Sequence, residues 1–132
     1  MPHYLLAGIL PDNFDPSSMD EAAVHSINAL NDELEAAGAR IVAGGLGAPS
    51  QAKSLRLRPN GEVLITDGPY MEAKEHVGGF TILEAADMDE ALAWARKAVI
   101  ACRMPVELRE IPYSNLPHGT PHPSRQRKPL TK

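Results

Sequence analysis

Residues 3–10 read HYLLAGIL. Apolar side chains fall at both parities: Leu6 and Leu10 on one, Leu5, Ala7 and Ile9 on the other. Successive side chains of a strand point to opposite faces, so a strand written this way is covered on both. Residues 80–83 (FTIL) repeat the feature, with Phe80 and Ile82 set against Leu83. A layer of helices hides one face of a sheet and no more. Each large aliphatic side chain left in water forgoes roughly 1.5–3 kcal/mol, and a row of them invites aggregation. The second face is therefore expected to pack on another sheet, most simply its twin in a two-fold homodimer.

The segments around this strand alternate in period. After a loop at 11–16, Ser18 with Glu21 has capping-box spacing and predicts a helix start. Ala23, Ile27, Leu30, Leu34 and Ala37 then recur at helical intervals, and Gly38 reads as the stop. Arg40 to Ala43 is a short strand, followed by a glycine-containing loop at 44–52. Leu55 to Arg58 alternates strictly, Glu62 to Thr66 is more apolar, and Asn60-Gly61 between them predicts a type I′ hairpin. Gly79 to Ala85 is a further strand. Asp87 with Glu90 caps a second helix, whose stripe is Met88, Leu92, Ala95, Val99 and Cys102. Pro105 to Ile111 closes the sheet, its alternation marking an outer strand. The order is β-α-β, hairpin, β-α-β. That is an α+β, ferredoxin-like split βαβ fold with an inserted β-hairpin.

Composition narrows the function classes. At 132 residues the chain reads as one domain over 1–112 with a Pro-rich basic tail over 113–132. A net charge of −4 speaks against nucleic acid as a direct partner. Its distribution is uneven: the tail holds Arg125, Arg127, Lys128 and Lys132 without an acid, leaving −8 on the remainder. The tail reads either as an arm for an acidic partner or as a segment lying along an acidic body, its own or a neighbour's. Its prolines are expected to prevent helix. No stretch has the roughly 20 apolar residues of a membrane span, and Cys102, the single cysteine, rules out an intrachain disulfide. A cytoplasmic location is expected.

Residues 67–80 read DGPYMEAKEHVGGF, far more than a turn between two strands requires. This pattern resembles the DGPF-domain proteins of the YCII-related family. There Asp-Gly-Pro-Phe is followed by an acid, by Thr or Ala with Lys-Glu, and by Gly-Gly-Phe. Tyr70 stands where Phe is usual, while Glu72, Lys74, Glu75, Gly78, Gly79 and Phe80 are in place. The resemblance spans roughly residues 3–111 and implies a dimeric α/β-barrel of ferredoxin-like subunits. It implies proposed enzymes that use a histidine and an aspartate in a cleft, and some DGPF domains accompany extracytoplasmic-function sigma factors. His25 lies in the first helix but about two positions early, and Ala98-Val99-Ile100 replaces the family's aspartate turn, so that dyad is expected to be absent.

The candidate residues each have two readings. Asp67 serves either the turn, with Gly68 and Pro69, or a cleft as general base. Glu72 is the second candidate acid or base. Tyr70, Lys74, Glu75, Gly78 and Gly79 are candidate ligand contacts, glycine permitting close approach; a solvated loop or a dimer-locking salt bridge is the alternative. His76 reads as a surface residue, Trp94 as packing and Cys102 as core. No histidine pair has metal-site spacing, and neither a metal nor a cofactor is expected. The functional expectation is a cleft at 67–75 binding a small polar or anionic molecule, with acid–base chemistry by Asp67 or Glu72 and Lys74 as electrostatic stabiliser. The alternative is a non-enzymatic regulatory module that docks on a sigma factor or a similar protein.

Overall fold

A computed structural model describes residues 1–126, with side chains through Ser124. Strand β1 spans His3–Pro11, helix α1 Glu21–Ala36, and β2 Arg40–Gly45. The hairpin strands are β3, Lys53–Leu57, and β4, Val63–Asp67. Then come β5 (Glu75–Glu84), α2 (Met88–Cys102), β6 (Val106–Ile111) and a single turn, α3 (Pro123–Gln126). The main sheet has the order β2-β5-β1-β6, and each of its pairings is antiparallel. With two helices this is an α+β architecture compatible with a ferredoxin-like fold. The hairpin forms a separate two-stranded sheet.

Local chemistry explains most boundaries. Asp87 accepts from the Glu90 amide at 2.9 Å, the expected N-cap bond of α2. The cap of α1 is Asp20, bonded to the Ala23 amide at 2.7 Å, rather than Ser18. Pro16 initiates a 3-10 turn over Pro16–Ser18, capped by Asp15, and that turn absorbs Ser18. At the other end Gly38 takes φ +67°, and the Ala39 and Gly38 amides bond the Leu34 and Glu35 carbonyls. This is the Schellman arrangement, with Leu34 and Ala39 meeting in the core.

Three further expectations need correction. The hairpin turn is not type I′: Gly61 alone has positive φ, at +89°, and its amide bonds the Arg58 carbonyl. Pro59 fixes a negative φ, giving a type I turn that Gly61 finishes in the left-handed region. The α2 stripe is also rotated. Ala91, Ala95, Ala98 and Ala101 are buried, whereas Met88, Leu92 and Val99 are exposed. Small side chains let this helix lie close on the sheet, so volume selected alanine over the larger residues. Finally, Pro123 opens a helical turn in the tail; at a first position its missing N–H costs nothing.

The core lies between helices and sheet, where Tyr4, Leu6, Leu34, Leu83 and the α2 alanines cluster. Alternation then places Leu5, Ala7 and Ile9, with Phe80 and Ile82, on the sheet's other side. Ala7 is buried there, and the other four are half-buried. His3 is buried by the tail, whose Ser114 Oγ stands 3.5 Å from His3 Nδ1. Arg127, Lys128 and Lys132 of the basic arm lie outside the described residues, as does the side chain of Arg125.

Tyr4 is 2% exposed. Burial first, then the carboxylates of Glu110, Asp87 and Glu90, push its phenol above the ordinary value of 10. The folded protein therefore keeps a proton that the unfolded chain releases. The associated stability is complete below about pH 10 and declines as pH rises through and past that value. Tyr4→Phe is expected to flatten this alkaline decline in urea midpoints taken from about pH 9 to about pH 11. A decline as steep as in the parent protein would refute the assignment.

Candidate functional site

β1 and β5 run antiparallel until Pro11 faces Glu75. β5 begins at Glu75 rather than Gly79, so the second half of the 67–80 segment is strand. That register brings residue 12, just past β1, beside residues 74–76. The Asp12 amide bonds the Lys74 carbonyl at 2.7 Å. The Asp12 carboxylate lies 3.0 Å from His76 Nε2, which also stands 2.9 Å from the Ala73 carbonyl. Both partners are acceptors, so Nε2 is assigned as the donor. The His76 side chain is only 14% exposed, so this histidine is not the surface residue that the sequence suggested.

Two loops complete the site. The segment joining β2 to β3 contributes Pro49 and Ser50, and the one joining β4 to β5 contributes Pro69, Glu72, Ala73 and Lys74. Together with Asp12 and His76 they line a cavity of about 530 Å³. A neighbouring apolar cavity of about 260 Å³, with Leu10, Phe14 and Leu46 in its wall, shares Asp12, Pro49 and His76 with the first. Polar groups thus converge beside an apolar slot, the usual composition of a small-molecule site. Another cavity, about 410 Å³ between the helices and the sheet, is lined mainly by side chains such as Leu30, Ala98 and Ala101, and Cys102 is its one titratable group. The titratable side chains of the first cavity are Asp12, Glu72, Lys74 and His76.

The residues expected from the sequence are divided between two places. Glu72 and Lys74 line the cavity. Asp67 does not: its carboxylate pairs with Lys53 at the hairpin stem and is 82% exposed. Gly68 takes φ +94° as its turn role requires, and its carbonyl accepts from Ser54 Oγ. Tyr70 is exposed on the hairpin side, with the Arg56 guanidinium 4.7 Å from its ring centroid. Glu75 is exposed opposite Pro11. Gly78 walls the apolar slot against Leu10, and Gly79 lies within the sheet against Gly44. His25 is exposed on α1, remote in the sequence from every lining segment. Among the described residues no cluster of three histidine, cysteine or acidic side chains has metal-site geometry. No helix among them is long and apolar enough to cross a membrane.

Asp12 was missed by sequence reasoning. Its one signal is position: it follows directly on a strand whose antiparallel partner carries His76.

The fold and cleft define an α+β protein with a sheet of ferredoxin-like order and a histidine–aspartate pair at the sheet's end. A family model described as the YCII-related domain matches residues 1–110, and the chain belongs to that family. It is also similar to the uncharacterized protein R00369 of Rhizobium meliloti (strain 1021), at 34% identity over 82 residues. That match covers 58% of this chain and 61% of the relative, so the chain spans about three-fifths of the relative's length.

Proposed function

We propose that this protein binds a small polar or anionic organic molecule in the His76 cleft and acts on it by acid–base chemistry. The observation that carries the proposal is the largely buried imidazole, held by Asp12 where the polar and apolar cavities meet. His76 is the proton acceptor or donor, and Asp12 is its positioning residue, orienting the ring through Nε2. Lys74 offers a cation to an anionic group of the ligand or to charge developing in a transition state. Glu72 is a second acid or base on the same wall. The protein works in the cytoplasm as a homodimer, joined through the sheet faces that the helices leave uncovered.

The test is a thermal-shift screen with small carboxylic and keto acids, followed by calorimetry. Ligands that stabilise the parent protein are expected to bind at least about tenfold more weakly to His76→Gln and to Lys74→Ala. Asp67→Ala should bind them normally, because Asp67 lies outside the cavity. Binding to His76→Gln at parental affinity would remove the cleft from consideration.

One observation favours a second reading, a non-enzymatic module that docks on an extracytoplasmic-function sigma factor or similar protein. The hairpin exposes Leu55, Leu57, Val63 and Ile65. Calorimetry with a purified sigma factor of this class from the same genome addresses it, and absence of heat at high concentration would end it.

A further inference from the structure

Leu55 faces Ile65 across the hairpin, and Leu57 faces Val63. Alternation therefore sets all four on one side of the ribbon, where they are 57–76% exposed. The other side carries buried Ser54 and half-buried Leu64. A two-stranded ribbon alone is marginally stable in water, so this aliphatic side calls for a partner. We infer that the hairpin is an arm whose aliphatic face docks on a second copy of this chain. The inference rests on the homodimer proposed above and adds a distinct contact to it.

Two features select a second copy over a foreign protein. First, the same chain offers a matching uncovered surface. On the sheet side away from the helices, Ile9, Phe80 and Ile82 are half-buried, and Val42 on edge strand β2 and Val77 at the start of β5 are over 40% exposed. A two-fold operation covers hairpin and sheet in both copies at once; a foreign partner on the hairpin leaves the sheet wet. Second, charge is complementary. Residues 53–67 carry three bases, Lys53, Arg56 and Arg58, against two acids, Glu62 and Asp67. The rest of residues 1–112 carries fifteen acids against six bases. Many of those acids lie on the helices. On the sheet side offered to the arm the register sets Glu84 and Glu107 against Arg109, so a slightly basic arm meets a slightly acidic face.

The arm also reaches the cleft. Both loops that line the cavity grow from its stem, which is tied by the Gly68 amide to the Ala52 carbonyl and by Ser54 Oγ to the Gly68 carbonyl, each at 2.7 Å. Docking of the arm in the dimer thereby fixes the Pro49–Ser50 and Pro69–Lys74 walls.

Sedimentation equilibrium of the full chain, its Leu57→Glu/Ile65→Glu variant and its Ile82→Glu variant tests the arm, alongside amide exchange of the parent protein at two concentrations. The parent is expected to be a dimer. The hairpin variant should dissociate on the order of a hundredfold more readily, with an unchanged far-UV spectrum, and β3–β4 amides of the parent should exchange more slowly as concentration rises. A hairpin variant that dimerises like the parent, with Ile82→Glu alone dissociating, would overturn the arm and leave the sheet-face dimer standing. A parent monomeric at high concentration would overturn both. Hairpin amides insensitive to concentration but protected by a purified sigma factor would assign the face to a foreign partner and overturn the inference.

Discussion

Leu83→Ala is expected to destabilise the protein by about 3–5 kcal/mol, the upper part of the range for buried leucines. Leu83 is fully buried on β5, where it faces Tyr4 of β1 on one side and Arg40 of β2 on the other. Its cluster is rich in residues that cannot relax into a void: Ala39, Ala85, Ala91, Ala95 and Ala98 have no rotatable side chain to offer. A cavity opened among alanines stays open, and the cost grows with the volume that remains. Against a total stability of about 5–15 kcal/mol this is a large fraction. The measurement is urea unfolding, with the slope unchanged and the midpoint lowered. Leu83→Ile keeps the volume and should cost less than about 1.5 kcal/mol. Ile100→Ala is the control, since Ile100 is 76% exposed on α2 and its truncation should fall within about 0.5 kcal/mol. A Leu83→Ala cost below about 1 kcal/mol would mean that the helices do not close on the sheet as described.

The fold was legible where one residue decides one backbone feature. Asp87 and Glu90 announce a helix start because the side chain reaches the N3 amide, and Gly38 announces a stop because it tolerates positive φ. Asn60-Gly61 located the hairpin but not its turn, since Pro59 restricts φ one residue earlier. The α2 stripe was misread for a reason of scale. Periodicity weights large side chains, yet close packing on a sheet selects small ones, and the alanine row satisfies the same period at a different angle. The site was legible only in part. Glu72 and Lys74 stand in a motif that is visible on sight, whereas the Asp12–His76 pair exists only through the β1–β5 register. Neither residue is conspicuous alone. The offset between Gly8 and Ile9, which sets that register at its last three pairs, is a bulge with no reliable sequence signal beyond the glycine opposite.

That glycine, Gly78, is the most sensitive point near the cleft. A Cβ built there would stand 1.9 Å from Leu10 Cδ1 and 2.5 Å from Leu10 Cγ. Its φ is not in the left-handed region, so the obstacle is steric rather than conformational. Gly78→Ala gains about 0.4–1 kcal/mol by restricting the unfolded chain, but displacing Leu10 costs about 1–3 kcal/mol. Overpacking wins, and a net loss near 1–2 kcal/mol is expected by the same reckoning. In a domain of this size that lowers Tm by several degrees. The cause is separable by a double-mutant cycle. Leu10→Ala removes the obstructing atoms, so Gly78→Ala in that background should be neutral or slightly stabilising, with a coupling of at least about 1 kcal/mol. Gly45→Ala provides the contrast within the same sheet, since a Cβ there meets nothing within 4 Å. Because Leu10 walls the apolar slot beside His76, Gly78→Ala should also weaken ligand binding in the cleft, and Leu10→Ala should not restore it. Should Gly78→Ala prove as benign as Gly45→Ala, the bulge does not press β5 onto Leu10, and the slot loses the wall on which its shape depends.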